Sequence, residues 1–246
     1  MCSTRERDSN HTRLVPSSPI SFARPRPRPR CTEPDMSDDI HAADGRVIGT
    51  RAQATRRKLL DATAKLLSEQ GILDLRVVDI SREIGTSPAT FYHYFNDVDE
   101  AILELAREAT EDEKPLVDHL QPGWSAVDGL TRAGQFVDAY MRFWDTHHAV
   151  LRVRNLKAEE GDRHFRKVRT EANLLLMDAL QDMIRDGVSA GRLPKSLDPF
   201  TTAAAVVAMC ERLLGYQPEM AKRGSSKDTI RDTLATLIYG IITGHD

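Results

Sequence analysis

Residues 55–101, TRRKLLDATAKLLSEQGILDLRVVDISREIGTSPATFYHYFNDVDEA, constrain the fold more than any other part of the chain. Leu59, Leu60, Thr63, Leu66 and Leu67 recur at the helical period, so a first helix is expected over about 51–70. Gly71 follows as its C-cap, and Ile72, Leu73 and Leu75 are expected to plug the base of a small domain. A second helix over about 77–84 turns Val77, Ile80 and Ile84 inward, and Gly85 supplies a turn that favours positive φ. Ser87 is a strong N-cap and Pro88 suits the first helical position, so a third helix opens there. It buries Phe91 and Phe95 and leaves Ala89, Thr90, Tyr92 and His93 near the outward face.

A helix that opens on compact, hydrogen-bonding side chains suits the major groove of DNA. Thr90 carries a hydroxyl and a methyl, Tyr92 a long phenol, and His93 a donor or acceptor for a base edge. Backbone amides near Ser87 and Ala89 suit a phosphate oxygen. A packed aromatic pair is the alternative for Tyr92 and Tyr94, and a solvated surface residue the alternative for His93.

Charge supports a local interface rather than a polybasic coat, since the 246-residue chain carries a net −3. Between residues 45 and 95, eight basic side chains (Arg46, Arg51, Arg56, Arg57, Lys58, Lys65, Arg76, Arg82) face five acidic ones. From 96 to 120 nine acids face only Arg107 and Lys114, so a modestly basic head precedes an acidic segment. The three cysteines, Cys2, Cys31 and Cys210, have no metal or redox spacing. No stretch is apolar enough to cross a bilayer and no signal-peptide core is present, which reads as a soluble protein of a reducing cytoplasm.

Residues 1–49 hold the run Arg24–Pro25–Arg26–Pro27–Arg28–Pro29–Arg30 and little apolar periodicity, so they are expected to be a disordered extension. It is either a basic arm for phosphate or a tail ahead of Met36, which could begin the natural protein. After the head, an acidic fourth helix runs to about Glu113 and stops before Pro115. Further helices are expected near 124–146, 148–160, 162–186, 199–216 and 227–243. The fold expected is all-α with about nine helices: a three-helix helix-turn-helix head at 50–96 and a helical body at 97–246.

The head resembles the TetR family of one-component transcriptional regulators. The likeness rests on Leu59, Leu60, Ala62, Leu66, Leu67, Gly71, Val77, Ile80, Gly85, Ser87, Thr90, Tyr92, Tyr94 and Phe95. It implies base contacts from Ala89, Thr90 and His93 and phosphate contacts from Ser87, Tyr92 and Tyr94. Three positions depart from the pattern. Arg76 replaces a Thr and could keep a phosphate contact by charge, Val78 replaces a polar residue, and Val98 replaces a Lys.

In the body, Ala203–Cys210 is apolar all round, and a helix without a polar face must be covered on every side. The resemblance implies that 199–216 and 227–243 pack against their copies in a homodimer, an ordinary monomer core being the alternative. It also implies a cavity for a small lipophilic ligand, with Phe136, Tyr140, Phe143, Trp144, Leu151, Met177, Leu180, Met183, Val207, Cys210 and Leu214 as candidate walls. Asn155 and Asn173 are candidate polar anchors. A looser likeness to actinobacterial members with elongated apolar pockets points to an acyl, aromatic or steroid-like compound.

No cofactor, metal site or catalytic spacing is expected, because GxSxG, HExxH, Walker and GxGxxG patterns are all missing from the sequence. The rival is a metal or enzyme site from Asp145, His147, His148, Glu159, Glu160 and His164. A second rival is a ligand-binding or interaction module on the same fold that has lost DNA binding. The function expected is a ligand-released repressor that binds a palindromic double-stranded operator as a dimer, with no membrane attachment.

Overall fold

The computed structural model describes residues 49–244, so the extension expected at 1–49 lies outside the described residues except for Gly49, as do Cys2 and Cys31. The described chain folds into nine α-helices: α1 Thr50–Gln70, α2 Val77–Glu83, α3 Pro88–Tyr94, α4 Val98–Glu113, α5 Gly129–Glu159, α6 Arg163–Ser189, α7 Pro199–Gly215, α8 Gln217–Ala221 and α9 Lys227–Thr243. No strand occurs among the described residues.

In α1, Leu59, Leu60 and Leu67 are buried and Leu66 is half-buried. Gly71 ends the helix at φ 78°, its N–H donating to the Leu67 carbonyl at 3.0 Å. Leu75 is buried and Ile72 half-buried as expected, but Leu73 is 94% exposed and plugs nothing. It lies within the turn, and its neighbours Ile72 and Leu75 take the inward places. The start of α4 is fixed on both sides: Asp97 accepts from the Glu100 N–H at 2.8 Å, and Glu100 reaches back to the Asn96 N–H at 2.6 Å. A 3₁₀ turn, Lys114–His119, follows where Pro115 removes a donor.

The two helices expected at 124–146 and 148–160 are one helix of 31 residues, α5, and 124–128 lies ahead of it. Nothing between Gly134 and Gly161 breaks a helix. Its inward stripe runs on through Tyr140, Trp144, Leu151 and Ala158, with the buried Arg154 among them. The short α8 restores the count.

Two apolar clusters form. One gathers α1–α3 with Ala101, Ile102, Leu105 and Ala106 of α4, Val150 and Val153 of α5, and Phe165 and Val168 of α6. The other joins α5, α6, α7 and α9. The head core therefore runs past residue 96 into α4 and the α5–α6 corner. The acidic face of α4 ties the same parts together. Glu104 meets Arg56 at 3.2 Å and Glu108 meets Arg57 at 2.8 Å on the α1 side. Asp99 meets Lys157 at 2.7 Å and Asp112 meets His147 at 3.1 Å on the α5 side.

Candidate nucleic-acid interface

The turn Ile84–Ser87 and the opening of α3 are set by hydroxyls. Ser87 accepts from the Thr90 N–H at 3.3 Å, and Pro88 occupies the first turn. The Thr86 hydroxyl donates to Thr90 Oγ1 at 2.8 Å, and Thr90 Oγ1 lies 3.2 Å from Ser87 Oγ. Thr90 is thus half-buried and engaged in holding the turn, with its remaining surface available outward. Thr86 was missed in the sequence, although a Thr between the turn glycine and the N-cap is the signal for such a relay.

Phe91 and Phe95 are fully buried, with ring centroids 5.5 Å apart, and they fix the rotation of this seven-residue helix. Ala89 and His93 are exposed and Tyr92 is 54% exposed. The two tyrosines part company, because Tyr94 is 8% exposed and stacks edge-on against His93 at 5.0 Å. Only that small remainder of Tyr94 is open to a phosphate.

The cations divide in the same way. Arg56 lies over the Phe95 ring at 5.0 Å, Arg57 bridges Asp61 and Glu108, Lys65 pairs with Glu83, and Arg82 with Asp79. Arg51, Lys58 and Arg76 are exposed and form no ion pair with another described residue. Arg76 immediately precedes α2 as its N-cap residue. Val78 is exposed, whereas Val98 packs against the head core and so anchors α4.

Two family models match this chain. "Bacterial regulatory proteins, tetR family" covers residues 59–108, and "Tetracyclin repressor-like, C-terminal domain" covers 116–246. The chain belongs to the TetR family of bacterial regulatory proteins. Among curated relatives, the HTH-type transcriptional regulator BetI of Brucella anthropi is 42% identical over 52 residues, 21% of this chain and 27% of the relative. An HTH-type transcriptional regulator of Haemophilus influenzae is 42% identical over 67 residues, 26% of this chain and 33% of the relative. These matches span about a third or less of the relatives' length. The fold is similar to that of a transcriptional regulator from Saccharomonospora viridis in complex with choline, with a TM-score of 0.60 and 23% identity over 76% of this chain and 96% of that one. It is similar also to FadR from Bacillus subtilis in complex with stearoyl-CoA, with a TM-score of 0.57 and 13% identity over 77% of this chain and 99% of that one.

In the TetR-like body, Phe136, Tyr140, Phe143, Trp144, Leu151, Leu180, Met183, Val207, Cys210 and Leu214 share one buried cluster, with Met177 packed against it. They meet as close-packed core in this conformation. A small cavity of about 50 Å³ touches Met183 beside Trp124, Asp186, Arg192 and Ile242. A larger cleft of about 380 Å³ lies elsewhere, between Asn96–Arg107 and the Asp162–Phe165 corner.

The polar groups of the body were the least legible part. Arg154 is 1% exposed and donates to Glu211 at 3.0 Å, while its other nitrogen stands 3.7 Å from Glu113, itself 3% exposed. Asn155 joins by donating to Glu211 at 3.4 Å and accepting from Arg154 at 3.1 Å. Burial pushes the Glu113 carboxyl up to about 7, with Arg154 opposing and Glu211 adding to the rise. Burial, then Glu211, push the Cys210 thiol up to about 12, and the Tyr140 hydroxyl rises well above its ordinary value for the same reasons. Asn173 is half-buried, its side-chain oxygen buried and without a hydrogen-bond partner.

The rival His/Asp cluster is dispersed. Asp145 pairs with Lys227, His147 with Asp112, Glu159 with Arg169 and His164 with Asp162. Among the described residues no three His, Cys, Asp or Glu side chains gather where they could hold a metal ion, and no helix is long and apolar enough to cross a membrane.

Proposed function

We propose that this protein is a dimeric transcriptional regulator that binds a palindromic operator through α3 and is released from it by a small ligand in the body. One observation carries the reading: Phe91 and Phe95 lock α3 so that Ala89, Tyr92 and His93 face outward together beside the Ser87 cap. In this reading Ala89, Thr90 and His93 meet base edges. Ser87, Tyr92 and Arg76 meet phosphate, with Arg51 and Lys58 adding charge. Tyr94 chiefly anchors the helix, as its burial supports.

The dimer forms through α7 and α9. Ala205 and Ala208 on α7 and Leu237 on α9 are exposed apolar residues on helices whose other faces are buried, and small side chains allow close helix approach. Two copies of α3 then sit in successive major grooves about 34–36 Å apart. The body takes an apolar-walled ligand, and relatives of the same fold are seen with choline and with stearoyl-CoA. Entry of a ligand moves α4, which is tied to α1 by Arg56 and Arg57, and so changes the spacing of the reading heads. Ligand and DNA oppose each other with a coupling of about 1–3 kcal/mol.

Selection of binding sites from a random duplex pool tests this. A palindrome should emerge, and Tyr92→Ala or Thr90→Ala should weaken its binding by about 1–3 kcal/mol each. Failure to enrich any sequence with an intact dimer would favour the DNA-binding-deficient module, which exposed Val78 motivates.

A further inference from the structure

Three charged side chains from three helices meet in the body: Glu113 on α4, Arg154 on α5 and Glu211 on α7. Two carboxylates face one guanidinium, so one negative charge is uncompensated whenever Glu113 is ionised. The pairing is also incomplete. Glu113 Oε2 and Arg154 Nη1 are buried and have no hydrogen-bond partner, and at 3.7 Å they stand too far apart to serve each other. Buried charges in folded proteins are normally paired and hydrogen-bonded, and a lone one disfavours the closed core. Tyr140, buried on the same face of α5 as Arg154, feels the charges of Glu211, Glu113 and Arg154, and its ring stands 6.1 Å from that of Phe143.

We propose that the body binds an organic cation, held by Glu113 and Glu211 against the rings of Tyr140 and Phe143. The inference rests on reading the body as a ligand chamber, and it names the chemistry of that ligand. A cationic nitrogen supplies the missing charge, and a ring face attracts it further once water is excluded. An anion would meet two carboxylates. A bare metal ion needs about six or more oxygen ligands, and here it would share two carboxylates with the Arg154 guanidinium and meet rings and a protonated thiol for the remainder. The apolar walls take the remainder of the ligand.

The site also says how the signal leaves it. Glu113 is the last residue of α4, and a cation drawn to it must part the core rings and displace that end. The same helix carries Glu104 and Glu108 against α1. A proton accompanies the event. Glu113, facing Arg154 and Glu211 with Tyr140 and Cys210 nearby and the Asp112–His147 pair next to it, holds part of a proton near neutral pH and gives it up to solvent when a cation binds. Affinity should therefore rise from pH 6 to 8, and this slope should vanish in Glu113→Gln.

The test is calorimetry on the full chain with three probes of one length: hexyltrimethylammonium, hexan-1-ol and hexanoate. The cation should bind about tenfold or more tightly than the other two. Glu113→Gln and Glu211→Gln should each remove most of that preference while hexanol binding stays, with melting curves confirming that both variants fold. Hexanol or hexanoate binding as tightly as the cation overturns the charge assignment and leaves the chamber standing. Binding of none of the three overturns both together.

Discussion

At the scale of single residues, the buried Glu113 makes stability depend on pH. Its carboxyl rises from 4.5 to about 7 on folding, so the folded state favours the protonated form. That contribution is fully present below about pH 4.5 and is lost as pH rises through about 7. Glu113→Gln, which mimics the protonated acid, should raise Tm by roughly 4–8 °C at pH 8 and leave it nearly unchanged at pH 4. Thermal melts at the two pH values check this, and a fall in Tm at pH 8 would show that the carboxylate is held as a needed partner of Arg154. Residues of this kind are poorly legible in sequence. Arg154 occupies an inward place of α5, but an arginine among apolar neighbours reads as a solvated edge. Tyr94 and Tyr92 look alike on paper, and only the rotation fixed by Phe91 and Phe95 separates the core ring from the outward one.

At the scale of elements, α5 and α9 approach closely because glycines face large side chains. A methyl group at Gly129 would stand 2.8 Å from the Tyr239 ring, and one at Gly134 would press on the Arg231 guanidinium. The two cases differ in what can yield. The ring is fixed in the core, whereas the guanidinium ends a flexible chain that holds Asp138 through two bonds of 2.9 Å. Gly129→Val should therefore cost about 1–3 kcal/mol. Gly134→Ala should cost less than 1 kcal/mol, because the helix-propensity gain of about 1 kcal/mol offsets the displaced ion pair. Chemical denaturation of both variants separates them, and equal losses would refute the distinction. Most elements were legible, since caps and periodicity mark α1, α3, α4 and α9 within a residue or two. α5 was legible only in two pieces, although no glycine or proline stands between Gly134 and Gly161 to end the helix.

At the scale of the whole molecule, the head was readable because its constraints are local: a glycine at φ 68°, a serine cap and two phenylalanines four apart dictate one shape. The body was less so, since its chemistry comes from side chains 41 and 57 positions from Arg154 in sequence. Assembly adds a last layer. Leu237→Asp, placed on the exposed face of α9, should turn the proposed dimer into a monomer and abolish operator binding while the fold persists, as sedimentation and a binding titration would show. A variant that stays dimeric would move the interface elsewhere.

The shared core at the α4 junction has a consequence for how such proteins can be recombined. A cut after residue 96 looks like a clean place to exchange one reading head for another, yet Arg56 and Arg57 would be taken away from Glu104 and Glu108, and Phe95 from its neighbours on α4. A graft that respects the grain of the molecule carries α4 with the head and keeps Lys157 and the Val150–Val153 surface of the recipient as its socket. By the same token, if α3 reads the operator as proposed, its preference is set most freely at Ala89, Tyr92 and His93, which are exposed and lie outside the shared core.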